Sequence, residues 1–428
     1  MKRNGRLVFL YAVALSLLVI LPQAGDFSSF KNTQDAGSYI RLAEGQPDGV
    51  LLHHARRMFH PWVVGNLRWI AGTDAAFIIV GILSLIVFLW IVLAYLHKDI
   101  ALPLGAAFGF VFLPYLFILF HDLYLQTLFF LALSALFWLL ILRKKYLAAV
   151  PLLFLMSLTR DEAVLIALVF LAVLLFRRPK DMSPRSAALF SAAVVAATGL
   201  GAFLTSFLTR ANTNINRMSQ MLFSALRLPL FLFENLTGLQ HWLDTYKVLP
   251  DYTHPPMVAF DLPAWVQKFS AIRQFGFYEW NPVLPAWLVL LVLSAFGTGP
   301  TIVFCLWKRT KFRSLRGSLA LSAMLLFGAL VFVISPALGP PVLRYFANAW
   351  PLFFLVMPAL LRPLWDVDRA GMTKILIIYF LSGWLGLLSV VRVWWVPALA
   401  VAAAIPLHIL TWKQLTAVLA KAHSADKG

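Results

Sequence analysis

Long apolar runs separated by short polar breaks recur along almost the whole chain. A helix needs about 20 apolar residues to cross the hydrocarbon core of a membrane. The runs predict about twelve transmembrane helices, in an all-α, polytopic helical bundle that makes residues 1–428 a single membrane domain. The predicted spans are approximately 7–24, 75–96, 101–120, 123–142, 146–159, 162–176, 186–208, 283–306, 318–338, 343–361, 373–390 and 394–411. The fifth and sixth are short, so a re-entrant hairpin is the alternative there.

Two long segments, residues 25–74 and 209–282, interrupt this pattern. Loops longer than about 12–15 residues are uncommon unless they bind or catalyse, so function is expected in these two. The second loop contains a short apolar stretch, residues 221–233, which is broken at Pro229. It is too brief to span and predicts an interfacial or re-entrant helix.

Composition identifies lipid as the main solvent of this chain. Its residues are 61% hydrophobic and 13% charged, with a mean hydropathy of +0.82, and a soluble globule needs more charged surface than that. The net charge of +18 would suggest nucleic acid in a soluble protein. Here Lys and Arg fall mostly in short loops on alternate sides of successive spans, which is the positive-inside pattern. We therefore predict no nucleic-acid partner.

The same distribution of Lys and Arg predicts the topology. Both termini are expected in the cytoplasm, with residues 25–74 and 209–282 on the outer face. The basic start, residues 1–6, and the apolar run after it fit a cleavable signal peptide or a first anchor. We favour the anchor, because residues 22–24 match a cleavage site poorly. The single cysteine, Cys305, excludes an intrachain disulfide.

The first outer loop offers a candidate carboxylate. Asp35, Tyr39, Leu42 and Ala43 recur at i, i+4, i+7 and i+8, so they share one face of a predicted short helix. A carboxylate on that face can dock against the membrane domain. The plain alternative is a helix cap or a solvated acid.

Basic residues at the end of the same loop suit an anionic ligand. Arg56, Arg57 and His60 precede the second span, and the planar guanidinium of arginine matches the oxygens of a lipid phosphate. Anchoring to lipid headgroups is the alternative reading of this segment.

Two tight outer turns hold further ionisable side chains. His121 and Asp122 lie between the third and fourth spans, where an acid is costly to desolvate without a partner or a task. Arg160, Asp161 and Glu162 lie between the fifth and sixth spans. They fit either an anion-binding site or an arginine–acid pair that caps the next helix.

Arg344 and Tyr345 open the tenth span at the same face, where positive-inside statistics disfavour an arginine. An anionic partner is the economical explanation. The outer histidines show no metal-ligand spacing: His53, His54, His60, His241 and His254. No metal site or cofactor is therefore predicted, although a divalent cation is compatible with the chemistry.

The order of these outer-face signals resembles the GT-C superfamily, the multi-pass glycosyltransferases that take a sugar from a polyprenyl-phosphate carrier. The nearest branch is mannosyltransferase-like, as in the GPI mannosyltransferases and their bacterial relatives. Four short motifs carry the likeness: residues 34–43, Asp122 with residues 125–129, residues 158–160 and residues 344–346. Two features depart from the family. Gln126 stands where relatives often have a glutamate, and residues 209–282 match no part of it.

The resemblance implies a site on the outer face of a bacterial inner membrane. Asp35 carries over as the general base that deprotonates the acceptor hydroxyl, with Asp122 as the second acid. The other residues of the implied site bind the donor and its phosphate: Tyr39, Arg56, Arg57, His60, His121, Arg160, Asp161, Glu162, Arg344 and Tyr345. A hexose would pass in one inverting displacement from the polyprenyl phosphate to a lipid, glycan or protein acceptor.

Two other functions remain open at this point. An O-antigen-type polymerase or ligase would rest its chemistry on the second outer loop, with these residues: Arg210, Arg217, His241, His254 and Arg273. A lipid-linked sugar transporter or flippase would place ionisable groups near the middle of the membrane. The predicted spans carry theirs mainly at the ends, which favours the transferase.

Overall fold

A computed structural model describes residues 2–425 apart from several short gaps and two longer ones. The gaps are residues 28, 33, 34, 48, 49, 51, 177–181, 211–227, 230, 242–276, 311, 313, 314, 316, 317, 338–342 and 392. The predicted interfacial helix at 221–233 therefore lies largely outside the described residues.

Helices account for most of the described chain. Their bounds are α1 (Lys2–Ile20), α2 (Ala36–Ala43), α3 (Leu52–Ala55), α4 (Phe59–Ala71), α5 (Thr73–Ala94), α6 (Leu104–Val111), α7 (Tyr115–His121), α8 (Thr127–Leu142), α9 (Tyr146–Ser157), α10 (Glu162–Phe176), α11 (Pro184–Arg210), α12 (231–237), α13 (Leu284–Phe296), α14 (Gly299–Thr310), α15 (Leu319–Ile334), α16 (Leu343–Ala347), α17 (Met357–Val367), α18 (Arg369–Leu385) and α19 (Trp395–Ala425).

Shorter helical turns join several of these helices. Those of 3-10 type are Leu21–Asp26, Ser29–Asn32, Ser335–Ala337 and Gly386–Val390, and the π-helical ones are Tyr95–Asp99 and Pro351–Val356. One pair of short antiparallel strands, β1 (Leu239–His241) and β2 (Phe277–Trp280), is the departure from an all-α chain among the described residues.

The helices confirm the predicted helical membrane character, but not the count of twelve spans. Within the described residues, six are long and apolar enough to cross a membrane: Gly5–Gly25, Thr73–Asp99, Pro184–Phe207, Leu319–Ala337, Arg369–Val390 and Trp395–Ser424. Two bent pairs raise this to as many as eight. Predicted spans 123–142, 146–159 and 162–176 form apolar helices α8, α9 and α10, of only 16, 12 and 15 residues.

Backbone chemistry explains where the predicted spans bend or break. Pro114 directly precedes α7 and follows the non-helical Phe112 and Leu113, and α6 and α7 meet at 56°. Helices α13 and α14 meet at 78° beside Gly297, whose φ of +49° suits glycine. A Cβ there would lie 2.3 Å from the carbonyl oxygen of Tyr379. The predicted span 343–361 is broken into α16, a π-helical stretch and α17.

The first predicted loop is mainly helical and packs onto the bundle. Its helix α4 contacts both α2 and α5. A Cβ at Gly65 would lie 2.6 Å from the carbonyl oxygen of Ala43, so this glycine lets α2 and α4 approach closely. Arg68 donates to the same oxygen at 3.2 Å. The start of α4 is tied to the end of α9 by a 3.1 Å hydrogen bond from the amide of Phe59 to the carbonyl of Leu158.

Candidate functional site

Helix ends far apart in sequence meet in one network of ionisable and polar side chains, which we call the polar cluster. Its members are Asp35, Tyr39, His54, Arg57, Asp122, Thr127, Arg160, Asp161, Glu162, Arg344 and Asn348. Several of them lie where an apolar helix begins or ends, so the bundle itself fixes their positions.

Asp35 is at the centre of one half of the polar cluster. Arg344 donates from Nη1 to Oδ2 of Asp35 at 2.9 Å, although the two residues are 309 positions apart. Nε2 of His54 lies 3.3 Å from the other oxygen, Oδ1. Asp35 is also the N-cap residue of α2, yet its side chain makes no capping hydrogen bond. The carboxylate therefore serves tertiary contacts in place of its usual local role.

The pKa values of the two acids in this half, Asp35 and Asp122, are shifted in opposite directions. Burial alone would raise the pKa of Asp35, but the hydrogen bond from His54 and the positive charge of Arg344 outweigh it and hold the pKa well below its usual range. Asp122 lies in the field of the same arginine and of His121. For Asp122 burial wins, helped by the nearby charge of Asp35, and its pKa is raised. The site therefore holds one firmly ionised carboxylate beside one that takes up a proton more readily.

Tyr39 and Arg57 link this half to the other. The guanidinium of Arg57 donates to the hydroxyl of Tyr39 at 3.4 Å and lies 3.7 Å from Oδ2 of Asp161. Tyr39 is buried one turn after Asp35 on α2, and its ring is tilted against the ring of His54 at 5.2 Å. One helix face therefore contacts two cations, Arg344 through Asp35 and Arg57 through Tyr39.

The second half of the polar cluster is a buried ion pair. Arg160 donates from Nε and Nη2 to the two carboxylate oxygens of Glu162, and from Nη1 to the hydroxyl of Thr127 at 2.9 Å. Asn348 donates to the same carboxylate at 3.0 Å. The arginine is 2% exposed and lies 5.8 Å from the ring centre of Phe130. This geometry matches the helix-opening arginine–acid pair that was one reading of the sequence.

The remaining predicted site residues contribute less to the polar cluster. His60 is buried between the rings of Phe77 and Phe129, at 5.5 and 5.3 Å, and burial lowers its pKa to about 3. That is the environment of a core histidine. Arg56 is half-buried, and its Nε has no hydrogen-bond partner among the described residues.

Two predicted residues lie at the edge of the polar cluster. His121 is exposed and contacts the ring of Phe30 at 4.4 Å, while its charge acts on Asp122. Tyr345 presents its ring to the guanidinium of Arg344 at 5.5 Å. Both border the residues that hold Asp35.

Three members of the polar cluster were not in the predicted site: His54, Thr127 and Asn348. Their sequence signals are weak, because a single histidine, threonine or asparagine near a helix end is common. In the sequence, His54 is one of several histidines without metal-ligand spacing. Thr127 follows Gln126 inside a quoted motif, and Asn348 lies one turn after Arg344. That last spacing is the signal that could have pointed to a second polar contact at the end of α16.

The residues of the rival polymerase or ligase cannot be placed in this way. Arg217, His254 and Arg273 lie outside the described residues. Within the described ranges, no group of three or more His, Cys, Asp or Glu side chains could hold a metal ion. The cluster offers cations and carboxylates instead, which suit an anionic ligand and a proton transfer.

Comparison with protein-family models, with curated proteins and with solved structures finds no match to this chain.

Proposed function

We propose that this chain is a membrane glycosyltransferase of GT-C type, which transfers a hexose from a polyprenyl-phosphate carrier to an acceptor hydroxyl. The observation that carries the proposal is the contact of Asp35 with Arg344, made between the first loop and α16 across most of the chain. These two groups lie at the ends of apolar helices. The ionised carboxylate can act as a base, and the cation beside it can bind a phosphate.

The proposed reaction is a single displacement at the anomeric carbon. The acceptor oxygen bonds to that carbon as its proton passes to Asp35, and the bond from the carbon to the phosphate oxygen breaks with its electron pair leaving on the phosphate. The carrier phosphate gains one negative charge while Asp35 loses one. Arg344 touches Asp35 at 2.9 Å, so it is placed to follow the charge from the base to the leaving group.

Arg57 is the second proposed phosphate partner. It lies between Tyr39 and Asp161, and Asp161 is the most exposed acid of the polar cluster. Arg160 is less suited to this role, since it is 2% exposed and each of its three nitrogens already donates to Glu162 or Thr127. We therefore assign Arg344 and Arg57 to the donor and Arg160 to the support of the site.

The finer architecture belongs to the same proposal. The twelve crossings would comprise the six long helices, the two bent pairs, the three shorter apolar helices and the broken segment 343–361. We propose that both termini face the cytoplasm of a bacterium and that the polar cluster faces outward from its inner membrane. The positive-inside distribution of Lys and Arg supports this orientation.

The proposal is tested on purified full-length protein in nanodiscs. A panel of undecaprenyl-phosphate hexoses, labelled in the sugar, is offered with a total lipid extract, soluble glycans or peptides as acceptors. We expect label to enter one acceptor class with release of undecaprenyl phosphate, and Asp35→Asn to abolish both. Asp74→Asn is the matched control, because Asp74 is an acid paired with Lys31 in a different place.

Three results would contradict the proposal. Label that crosses vesicle membranes with its carrier bond intact would identify a transporter. Transfer that survives in Asp35→Asn would remove the assigned base and direct attention to residues 209–282. Absence of both transfer and undecaprenyl phosphate binding, across the panel, would reject the donor class.

A further inference from the structure

His54 is a buried histidine placed against the carboxylate of Asp35. Its side chain is 3% exposed, while that of Asp35 is 22% exposed. Nε2 lies 3.3 Å from Oδ1 of Asp35, and the imidazole ring packs against Tyr39 at 5.2 Å. Tyr39 in turn accepts a hydrogen bond from Arg57. The ring of His54 therefore contacts two residues of the polar cluster, Asp35 and Tyr39.

The two oxygens of Asp35 have partners from different segments of the chain. Arg344 holds Oδ2 from α16, and His54 holds Oδ1 from α3. Two anchors on one carboxylate fix its rotation, which one anchor leaves free. The absence of a capping bond to α2 fits the same picture, since such a bond would turn the carboxylate toward its own helix.

We propose that His54 is a positioning residue for Asp35: it aims the carboxylate and keeps it ionised while Arg344 moves toward the leaving phosphate. Its catalytic consequence rests on the proposed glycosyl transfer, whereas its effect on Asp35 does not. A base must be both deprotonated and oriented toward the hydroxyl it serves. When Arg344 shifts to the phosphate, His54 is the partner that remains on the carboxylate.

The neighbouring charges agree with this role. Arg344 and His54 both favour the ionised form of Asp35, and Asp122 is the acid that also faces Arg344. His121 acts on Asp122, and Tyr39 contacts both His54 and Arg57. Arg344 thus acts on both acids, and His54 acts on Asp35.

The first experiment measures the protonation of Asp35 without any substrate. A water-soluble carbodiimide with glycine ethyl ester labels protonated carboxyl groups, and mass spectrometry of the full chain in nanodiscs gives the rate at Asp35 from pH 4.5 to 7. We expect His54→Phe, which keeps the ring but loses the nitrogen, to raise this rate by about tenfold, the factor of one pKa unit. His54→Gln, which keeps a donor, should stay near wild type.

Controls separate this effect from a general loosening of the fold. His97→Phe replaces another partly buried histidine, which contacts the carbonyl of Leu102, and it should leave the Asp35 rate unchanged. Size-exclusion chromatography checks that each variant is folded. If His54→Phe does not fold, His54→Asn, which shortens the reach to Asp35, replaces it and should also raise the rate. If Asp35 is labelled at the wild-type rate in His54→Phe, or in His54→Asn where that variant replaces it, the inference is overturned.

The second experiment addresses catalysis with the donor identified by the panel. We expect His54→Phe to lower kcat by about 10- to 100-fold with little change in KM for the donor, and His54→Gln to recover most of the loss. A higher labelling rate with unchanged kcat would overturn the catalytic part. Failure of the proposed function itself would be recognised by a different result, namely sugar transfer that survives in Asp35→Asn.

Discussion

Two arginine–carboxylate pairs of the polar cluster are joined by hydrogen bonds, and these two differ in almost every physical respect. Arg160 and Glu162 are two residues apart, 2% and 14% exposed, and joined by both carboxylate oxygens. Arg344 and Asp35 are 309 residues apart, 23% and 22% exposed, and joined by one oxygen only. In the first pair, Arg160 also donates a hydrogen bond to Thr127, and Glu162 also accepts one from Asn348.

The difference indicates a division of labour. A buried, bidentate pair is hard to exchange for a ligand, because each partner would be left in a medium of low dielectric. A pair that is 22–23% exposed and shares one hydrogen bond can give up its cation to an arriving phosphate at a lower cost than the buried pair. We therefore assign the local pair to the fold and the long-range pair to the chemistry.

The largest effect is expected when the buried pair is broken. Arg160→Leu leaves the charge of Glu162 buried without its partner, and it should lower the free energy of unfolding by about 3–5 kcal/mol. Arg344→Leu removes one hydrogen bond to a partly buried charge and should cost less, about 1.5–3 kcal/mol. Unfolding by SDS titration in mixed micelles measures both. A larger loss in Arg344→Leu than in Arg160→Leu would reverse the assignment.

Donor affinity should follow the opposite order. Arg344→Gln removes a charged hydrogen-bond donor of the kind that contributes about 1.5–3 kcal/mol, so binding of undecaprenyl phosphate should weaken by about 10- to 100-fold. Arg160→Lys keeps the buried charge and should change the affinity little. Native mass spectrometry in nanodiscs gives both values. Equal losses in the two variants would mean that the buried arginine also reaches the ligand.

His60 provides a pH test of burial without an ionic partner. Burial lowers its pKa from 6.5 to about 3. Between pH 6.5 and pH 3, His60 is therefore protonated in the unfolded chain and neutral in the folded chain. Folding stability should therefore fall with decreasing pH below 6.5, and the slope from this residue approaches about 1.4 kcal/mol per pH unit below about pH 5.5. In His60→Phe the loss between pH 5.5 and 4.5 should be smaller by about 1.3 kcal/mol. An unchanged pH dependence would show that His60 is solvated.

The smallest effect is expected at a third ion pair. Lys31 and Asp74 are 43% and 48% exposed, and Asp74 also accepts a hydrogen bond from Tyr124 at 3.0 Å. Pairs at such exposure contribute about 0–1 kcal/mol, so Lys31→Met should hardly change the unfolding curve or the transfer rate. A loss comparable to that of Arg160→Leu would show that exposure does not rank these pairs.

Continuous apolar composition predicted the long helices well. The predicted span 75–96 agrees closely with Thr73–Ala94, and 318–338 with Leu319–Ile334, because nothing in these runs competes with a helix. The interruptions were harder. Pro114 carries a visible signal for the bend between α6 and α7, whereas the π-helical stretch Pro351–Val356 depends on packing that no local pattern reports.

For the site, the sequence indicated individual residues but not their contacts with one another. Asp35 and Arg344 were nominated by the charge pattern and the family resemblance, and the structure brings them together, but their roles stay predictions. No spacing rule could have paired residues 309 positions apart or turned a single histidine toward Asp35. The alternative at Arg160 was visible in the sequence, because Glu162 lies two residues away. Burial of this pair, which only the fold reveals, favours the ion-pair reading.

The central claim is that Asp35 is the base of a sugar transfer, and single-turnover kinetics test it most directly. Protein in nanodiscs is mixed with one equivalent of labelled undecaprenyl-phosphate hexose and excess acceptor, and the formation of product is followed in wild type, Asp35→Asn and Asp74→Asn. We predict that Asp35→Asn slows the step by about 10²- to 10⁴-fold while Asp74→Asn keeps the wild-type rate. An Asp35→Asn variant that transfers sugar as fast as wild type would contradict the account.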